Sequence, residues 1–584
     1  MNRLILYLKL SIESISYNSN KWNTNLLPNT LLAGLLLFFP LISNNTNYCY
    51  IKEIFVFSIS AVFILYYLFF KNKILTYVYD IYIIIGIIYI LSNTNNWDND
   101  TYTTIHYIII FFSVSKAKWD INILFTIISI STIHTIISII NNWSSPLMGI
   151  MNNSGITGIY LAITYPIGLF FLLKTQRIVY KIIYGSILTL ITICILLTDS
   201  RSAILSITIC TIYIYIKNSN SIMNHIRKNS TKKSSIYILL FISLCIVSLY
   251  NLINHRKESV DGRILIYKIT TKMISDKPIF GFGYNTFYSV YPDYQASYFN
   301  KHPNSKYKLL ADNTKYGFNE ILQIGVENGI TGIILIFIFT ICLLTINNNE
   351  DKFIVSSLKY SILSILIISL SSYPLRRNET LLIIIILVGI LVSFEKRILF
   401  TFNRTESKLL IMSLIFFYFN ITDSTISRKQ AYTIWLKTKK APIPDKEKMA
   451  IYGSIENELK YFPLFLYNYA VILSNCQKNN ESNIYLDKVL MHMNTSYIWI
   501  LKGNNYKNRN NFQEALKCYT HASEIVPNRI FPLYKTMLLY KEYNRYNQMI
   551  DTAELINKFN IKIPSYTTLK IKKEANEIIS IYNN

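Results

Sequence analysis

The sequence predicts an all-α fold, a polytopic membrane bundle of about 12–13 helical spans followed by a helical-repeat domain. Three observations carry this prediction. Hydrophobic residues make up 51% of the chain and charged residues 16%, against roughly 25% charged in soluble domains. The apolar residues are concentrated in long blocks in the first part of the chain. The last part has a higher charge density and a repeat-like pattern of aromatic and small residues.

The apolar blocks have the length of membrane-spanning helices. A helix needs about 20 residues to cross a hydrocarbon core about 30 Å thick, and about thirteen blocks approach this length. The stretches 81–91 and 381–392 are apolar all round, whereas helices of soluble proteins have one polar face. We therefore predict a membrane domain over residues 1–422. The blocks are 26–43, 54–70, 74–92, 104–115, 121–140, 156–173, 180–198, 203–216, 236–253, 329–346, 353–372, 379–394 and 408–422.

The distribution of Lys and Arg among the loops predicts the orientation of the membrane domain. Short loops rich in these residues are expected on the cytoplasmic side. This puts the N-terminus in the cytoplasm, and the loop 254–328 and the tail 423–584 on the periplasmic side of the inner membrane. The net charge of +25 therefore reflects orientation, and no nucleic-acid partner is expected. The predicted cytoplasmic loops hold Lys71, Lys73, Lys116, Lys118, Lys174, Arg177, Lys217, Arg227, Lys228, Lys232, Lys233, Lys396, Arg397, Arg404 and Lys408. The short predicted periplasmic loops hold only Lys52, Arg201, Arg376 and Arg377.

The tail 423–584 contains a pattern typical of a tetratricopeptide repeat, a pair of antiparallel helices of about 34 residues. Lys502 stands where the pattern has Leu, and weaker copies flank the match at 464–490 and 531–559. Such stacks either bind a partner or brace a neighbouring domain, so both roles stay open. The residues at the expected offsets are Trp499, Gly503, Tyr506, Ala515, Tyr519, Ala522 and Pro527.

The sequence contains no pattern for a metal ion or a nucleotide. It lacks a Walker-type Gly-Lys-Ser/Thr loop and a Cys-x-x-Cys pair, and its seven His have no metal-ligand spacing. The Gly-Phe-Gly run at 281–283 has neither the third glycine nor the strand–helix context of a dinucleotide site. We therefore expect no metal and no cofactor.

Two arginines lie in the predicted periplasmic segments at positions that restrict their movement. Arg201 is in the tight Asp-Ser-Arg-Ser-Ala turn over 199–203, where its planar guanidinium suits a phosphate. Alternatively, it snorkels to the membrane surface or pairs with the Asp of that turn. Arg263 opens an amphipathic stretch, 264–274, which contains Lys268. That stretch either lies at the lipid headgroups or packs on the rest of the loop.

A third motif leads from the loop into the next span. Residues 316–323 read Tyr-Gly-Phe-Asn-Glu-Ile-Leu-Gln, and helical spacing puts Glu320 and Gln323 on one face, with Asn319 beside them. These side chains either cap the span or face a substrate at the membrane surface.

Together, the motifs resemble the O-antigen ligase and polymerase superfamily, which includes bacterial O-oligosaccharyltransferases. Members carry an Arg in a short outer turn, matched at 199–203, and a long outer loop that begins with an Arg-led helix, matched at Arg263. A Pro-x-x-Gly-x-Gly run follows, matched at 278–283. The loop of members ends with His-Asn-x-x-Leu-Gln-x-x-x-Glu-x-Gly-x-x-Gly, matched at 318–332 apart from the His. The resemblance covers about residues 140–395, and a tetratricopeptide tail is a known extension of the family.

The departure from the family pattern is Phe318, which stands in place of the His. That His is thought to activate the acceptor, and a Phe side chain cannot take a proton. Three alternatives stay open: Glu320 takes its role, another residue such as His302 reaches the site, or the reaction depends mainly on the leaving group.

The resemblance implies transfer of a glycan from undecaprenyl pyrophosphate to an acceptor hydroxyl. Arg201 and Arg263 would stabilise the departing pyrophosphate, and Glu320 would act as the general base. The residues implied in substrate binding are Ser200, Ser202, Lys268, Gly281, Gly283, Asn319 and Gln323.

The activity expected from the resemblance is that of a membrane glycan ligase in the biosynthesis of lipopolysaccharide or another cell-surface polysaccharide. The acceptor would be lipid A–core or a protein, and the tail is an expected contact for a protein partner. Polymerisation and protein O-glycosylation use the same kind of site and remain alternatives. A lipid-linked sugar transporter or flippase is an alternative from another class. Transporters place ionisable groups near the membrane midplane, whereas these spans are nearly free of charge apart from Asp80 and Lys359.

Overall fold

The computed structural model describes residues 26–41, 99–141, 146–226, 257–403 and 427–582. It also describes short runs and single positions between 56 and 86 and between 243 and 250, together with 405 and 406. Most of the predicted spans 54–70 and 236–253, about half of 74–92 and all of 408–422 lie outside the described residues. The described part is predominantly helical, consistent with the predicted all-α membrane protein.

The first part of the chain forms a bundle of apolar helices. Five of the described helices are long and apolar enough to cross a membrane: α3 (Ile121–Asn141), α4 (Ser154–Lys174), α5 (Ile178–Leu197), α9 (Glu320–Thr345) and α10 (Lys352–Ser369). Shorter apolar helices lie within α1 (Leu26–Leu41), α2 (Asn99–Lys116) and α11 (Asn378–Val392). This supports a helical membrane protein, while the count of 12–13 spans stays a prediction. In chain order the helices are α1 (Leu26–Leu41), α2 (Asn99–Lys116), α3 (Ile121–Asn141), α4 (Ser154–Lys174), α5 (Ile178–Leu197), α6 (Arg201–Ile226), α7 (Lys257–Asp276), α8 (Phe287–Lys301), α9 (Glu320–Thr345), α10 (Lys352–Ser369) and α11 (Asn378–Val392).

Helix α4 is the centre of the bundle, buried continuously from Ile156 to Phe171. It packs against α3, α5, α6, α10 and α11. Small polar side chains join it to its neighbours: Ser364 Oγ donates to the Ala162 carbonyl at 2.7 Å and lies 2.8 Å from Ser206 Oγ. In an apolar environment such hydrogen bonds and small side chains hold helices together at close range. These contacts fix α4, α6 and α10 relative to one another.

A two-stranded antiparallel sheet pairs β1 (Ile74–Tyr77) with β2 (Ile398–Phe402). The prediction that a membrane span begins at residue 74 is wrong for these first four residues, which form β1. The pairing satisfies backbone hydrogen-bonding groups that an apolar sequence cannot satisfy with side chains. Lys116, at the end of α2, forms an ion pair with Asp80 close to this sheet.

Residues 257–319 contact the start of α6 and the end of α10, and we call this side of the bundle the loop face. They contain α7 and α8 and a short 3₁₀ helix, Lys308–Leu310. The chain then enters α9, which is broken at Gly329 by a non-helical conformation with φ 62° and ψ −162°. The predicted span 329–346 thus corresponds to the part of α9 that follows the break.

The tail is a series of helices that pack mainly on their neighbours in the chain. In α17 (Ser496–Asn508) a Cβ on Gly503 would lie 2.5 Å from the ring of Tyr519 in α18 (Phe512–Ile525), so the two helices approach closely at that point. The assignment of these helices to tetratricopeptide repeats stays a prediction. They are α12 (427–440), α13 (Asp445–Ser454), α14 (Glu456–Leu459), α15 (Pro463–Asn475), α16 (Asn479–Leu490), α17 (Ser496–Asn508), α18 (Phe512–Ile525), α19 (Ile530–Glu542), α20 (Tyr546–Lys558) and α21 (Tyr566–Tyr582).

Candidate functional site

A small pocket of about 160 Å³ lies on the loop face, where the ends of α4 and α6 meet α7. Both predicted arginines line it, and so do the two predicted serines of the 199–203 turn. Its lining is otherwise mostly small and polar. The lining residues are Ser154, Gly155, Ile156, Ile159, Thr198, Asp199, Ser200, Arg201, Ser202, Ser259, Arg263, Phe318, Ser372 and Tyr373.

Arg201 reaches the pocket from a tightly constrained turn. Helix α5 ends at Leu197, and Asp199 then adopts a left-handed conformation with φ 53°, which reverses the chain before α6 begins at Arg201. A Cβ on Gly158 of α4 would lie 2.6 Å from Thr198 Oγ1, so the turn packs closely against α4. The guanidinium then bridges to the loop, because Arg201 Nη2 donates a hydrogen bond of 2.7 Å to Ser259 Oγ in α7.

Arg263 enters the same pocket from the second turn of α7. Its Nη1 donates a 2.9 Å hydrogen bond to the Ser371 carbonyl, and its guanidinium carbon lies 5.3 Å from the centre of the Phe318 ring. Burial lowers the pKa of Arg263 from its ordinary value, and Tyr267 and Tyr373 partly offset that shift. An arginine retains its charge at neutral pH nonetheless. A positive group that is partly withdrawn from water binds an anion more strongly than an exposed one.

Phe318, which replaces the His of the family pattern, lines this pocket and presents its ring to Arg263. Its φ of 50° lies in the left-handed region, which is uncommon for a bulky residue. Tyr267 holds this conformation by donating a 3.0 Å hydrogen bond to the Phe318 carbonyl. The ring also packs edge-on against Tyr373, at 5.1 Å between centroids, and Tyr373 stacks on Tyr316 at 4.5 Å.

A larger and more open cavity of about 760 Å³ continues from the small pocket. The two share Ser259, Arg263 and Phe318, so a ligand could extend from one into the other. The larger cavity lies between α7 and the loop segment 310–318, and Lys562 of the tail completes its lining. Its volume is within the range typical of small-molecule sites, about 300–1,000 Å³.

Glu320, the predicted base, lies at the start of α9 but lines neither of these cavities as described. Its carboxylate accepts hydrogen bonds from the Leu375 backbone at 2.7 Å and from Arg376 Nε at 3.4 Å. Arg376 Nη1 also pairs with Glu327 at 2.9 Å. Burial lowers the pKa of Arg376, but Glu327 and Glu320 outweigh burial and raise the pKa above its ordinary value. We call Glu320, Glu327 and Arg376 the buried ion cluster.

Asn319 and Gln323 are also engaged with the protein itself. Asn319 caps α9 by accepting from the Leu322 backbone at 3.1 Å, and its Nδ2 donates to the Leu370 carbonyl. Gln323 accepts from the Gly317 backbone at 3.0 Å and donates to Glu327 at 3.0 Å. The side-chain groups predicted to orient a substrate thus hold the loop segment before α9 in place.

Gly281 and Gly283 form a seam between two backbones instead of lining the pocket. Phe282 and Gly283 donate backbone hydrogen bonds of 2.8 and 2.9 Å to the carbonyls of Val326 and Glu327. A Cβ on Gly281 would lie 2.5 Å from the backbone carbonyl carbon of Glu327, and φ at Gly281 is +69°. The remaining predicted residue, Lys268, is exposed on α7, with its ammonium 5.1 Å from the centre of the Tyr307 ring.

Sequence reasoning missed several residues of the pocket. Ser259, Ser372 and Tyr373 line it, but single serines and tyrosines in loops carry no signal in one sequence. In the sequence, Arg376 is only one of the charges in a short loop. Its position directly after the predicted span 353–372, opposite the polar motif at 316–323, was the one available hint that it pairs with Glu320.

The fold and the pocket define a helical membrane protein with an arginine-lined, anion-compatible site on one face. The family model described as O-Antigen ligase matches residues 146–337, which contain α4 to α8, both arginines and the start of α9. The match supports the O-antigen ligase superfamily for this chain, and that family comprises glycosyltransferase-like enzymes. No curated protein matches the chain. Ser371 to Arg376, which complete the pocket and the ion cluster, lie beyond the matched segment.

Proposed function

We propose that the protein is a membrane glycan ligase that transfers a glycan from undecaprenyl pyrophosphate to an acceptor hydroxyl. The observation that carries this proposal is the convergence of Arg201 and Arg263 on one small polar pocket, within the segment matched by the O-Antigen ligase family. The proposed setting is the periplasmic face of the inner membrane, where nucleoside triphosphates are absent and the donor must arrive already activated.

The reaction is a substitution at the anomeric carbon of the donor. The acceptor oxygen forms a bond to that carbon while the bond to the pyrophosphate oxygen breaks, and the electron pair leaves with the lipid pyrophosphate. Negative charge therefore grows on the departing oxygen. Arg201 and Arg263 are fixed by Ser259 and the Ser371 carbonyl, so they are oriented before the charge develops. Guanidinium groups suit this role because they bind phosphate oxygens in a fixed planar geometry.

The proton of the acceptor hydroxyl needs a second group, and Phe318 cannot supply it. Asp199 lines the small pocket, whereas Glu320 lines neither cavity. We therefore propose two candidates for the proton acceptor, Glu320 as the sequence indicates and Asp199 as the pocket geometry favours. With a pyrophosphate leaving group, departure of the leaving group contributes more to the rate than proton removal.

The arginine assignment is tested by Arg201→Ala and Arg263→Ala in a strain from which the gene has been deleted. We expect each variant to lower glycan transfer by about 10²–10³-fold, the typical effect of removing one charge-stabilising donor. Arg177→Ala is the matched control, because Arg177 is exposed at the other end of α5 and lines neither cavity. Membrane levels are compared by immunoblot. Normal transfer by either pocket variant at normal protein level would refute the assignment.

The same deletion strain separates the alternative reactions. Loss of O-chains from lipopolysaccharide indicates ligation to lipid A–core, and single-repeat caps indicate a polymerase. Changed glycoproteins with an intact lipopolysaccharide ladder indicate protein O-glycosylation. An accumulation of lipid-linked glycan on the cytoplasmic leaflet would instead support the transporter alternative.

A further inference from the structure

The larger cavity is lined by more basic than acidic residues, even without Arg263, which is assigned to the pyrophosphate. Its lining includes four basic residues and two acidic ones. One acidic residue, Asp312, is paired with Arg529 of the tail at 2.9 Å, so its charge is already compensated. The cavity therefore offers net positive charge to a ligand. The four basic residues are Lys257, Arg263, Lys315 and Lys562.

Lys562 belongs to the tail, in the connection between α20 and α21. Its side chain is exposed, and within the part of the chain that the structure describes no hydrogen bond or ion pair to its ammonium is found. It faces the same space as Lys257 and Ser259 of α7. A residue from the end of the chain thus completes a cavity that begins at the membrane helices.

The tail holds this position through contacts with the loop. Gln295 of α8 donates to the Ile525 carbonyl at 2.7 Å, and Asn528 donates to the Leu309 and Ala311 carbonyls at 2.9 and 2.8 Å. Asn494 donates to Asp293 at 2.8 Å. These contacts fix the tail against the loop, so Lys562 is part of the cavity wall and not a residue on a separate module.

The relative position of the two cavities indicates which part of a bound donor contacts the basic residues of the larger cavity. If the small pocket takes the pyrophosphate, the attached sugars extend past Arg263 and Phe318 into the larger cavity, where the stacked ring of Tyr316 forms part of the wall. We propose that the larger cavity is a subsite for a negatively charged saccharide and that Lys562 is a specificity residue for its carboxylate or phosphate. This inference rests on the proposed function, because the function sets the direction in which the glycan extends.

The test measures binding of three probes to the purified full-length protein in detergent by calorimetry. The probes are tri-galacturonate, its uncharged methyl ester and inorganic pyrophosphate. We expect tri-galacturonate to bind about tenfold or more tightly than the ester, with a preference that weakens as salt rises. Lys562→Ala should weaken tri-galacturonate about threefold to fivefold, as expected for an exposed ion pair, and leave the ester and pyrophosphate unchanged.

Lys570→Ala is the control, because Lys570 is an exposed lysine of α21 that does not line the cavity. Equal binding of tri-galacturonate and its ester, or no change in Lys562→Ala, overturns the proposal. A loss of pyrophosphate binding in Lys562→Ala also overturns it, since Lys562 would then serve the donor diphosphate. None of the probes is transferred, so a negative result in this binding test leaves the ligase proposal standing. Normal transfer by Arg201→Ala would refute the ligase site, but it would leave these binding data valid.

Discussion

At the scale of single residues, Phe318 determines how Arg263 is presented to the pocket. The guanidinium lies between the Ser371 carbonyl and the face of the Phe318 ring, and the electron-rich ring face attracts a cation. Phe318 therefore places no titratable group where the family pattern has a His. Its ring instead orients the guanidinium of Arg263. In the proposed reaction, the absence of a base at position 318 gives stabilisation of the leaving group a larger share of the catalysis.

We predict that Phe318→Leu lowers the rate of transfer at saturating donor by about threefold to thirtyfold. The estimate follows from the loss of a cation–π contact worth about 0.5–2 kcal/mol. Phe318→Tyr is the matched variant, because it keeps the ring and both variants adopt the same positive φ at equal backbone cost. Initial rates are measured on protein purified in detergent. Equal rates for Phe318→Leu and wild type would show that the ring face does not hold Arg263.

At the scale of elements, the buried ion cluster joins the start of α9 to the turn between α10 and α11. The 3₁₀ turn Pro374–Arg376 brings one arginine between Glu320 and Glu327. Both carboxylates are almost fully buried, at 2% and 0% exposure, so each depends on Arg376 for compensation. The turn also carries Tyr373 into the pocket, and the cluster therefore fixes part of the pocket wall.

Arg376→Met should destabilise the protein by about 3–5 kcal/mol, because it leaves two buried carboxylates without a positively charged partner. Adding Glu320→Gln and Glu327→Gln to this variant should restore most of the loss, since the uncompensated charges are then removed. Thermal unfolding in detergent measures both effects.

The single variant Glu320→Gln separates the two roles of this residue. A normal melting temperature with abolished transfer would make Glu320 the base. Retained transfer would assign Glu320 to the buried ion cluster alone.

The close backbone contact between residues 279–283 and 326–331, which we call the seam, leads to a second prediction at this scale. At Gly329 a Cβ would lie 2.2 Å from the Ile279 carbonyl oxygen, and φ is +62°. Gly329→Ala should therefore cost roughly 2–4 kcal/mol of stability from strain and displaced backbone. Gly185→Ala in α5 is the control, because its Cβ would meet nothing within 4 Å and alanine favours a helix. Equal melting temperatures for the two variants would refute a close seam.

The sequence predicted the parts of the fold and site that depend on local pattern. Apolar length predicted α3, α4, α5 and α10, and the short Asp-Ser-Arg-Ser-Ala turn predicted a constrained Arg201. The sequence left open whether Asn319, Glu320 and Gln323 cap the span or face a substrate, because their partners Leu370, Arg376 and Gly317 meet them only through folding. It also missed β1, since four apolar residues at the start of a long apolar block resemble a span.

At the scale of the whole molecule, the tail packs against the loop that forms the larger cavity. Helix α8 packs against α18, and Ala296 is buried together with Ile525 and Val526 of the tail. Gln295 sits at the centre of this contact, 1% exposed, and its Nε2 donates both to the Ile525 carbonyl and to the Asp312 carbonyl. One amide group thus ties the tail to the segment that leads to Tyr316 and Phe318.

Gln295→Ala should therefore loosen both the tail and the cavity wall. The substitution leaves two carbonyl groups without this donor, and a buried polar group that loses its partner costs about 1–3 kcal/mol. We expect faster hydrogen exchange at residues 309–318 and 525–529 of the detergent-solubilised protein, together with reduced transfer. Arg529→Ala is the comparison, because its pair with Asp312 is exposed and such pairs contribute about 1 kcal/mol or less. Faster exchange in the tail alone, with 309–318 unchanged, would show that the tail docks on the loop without positioning the cavity wall.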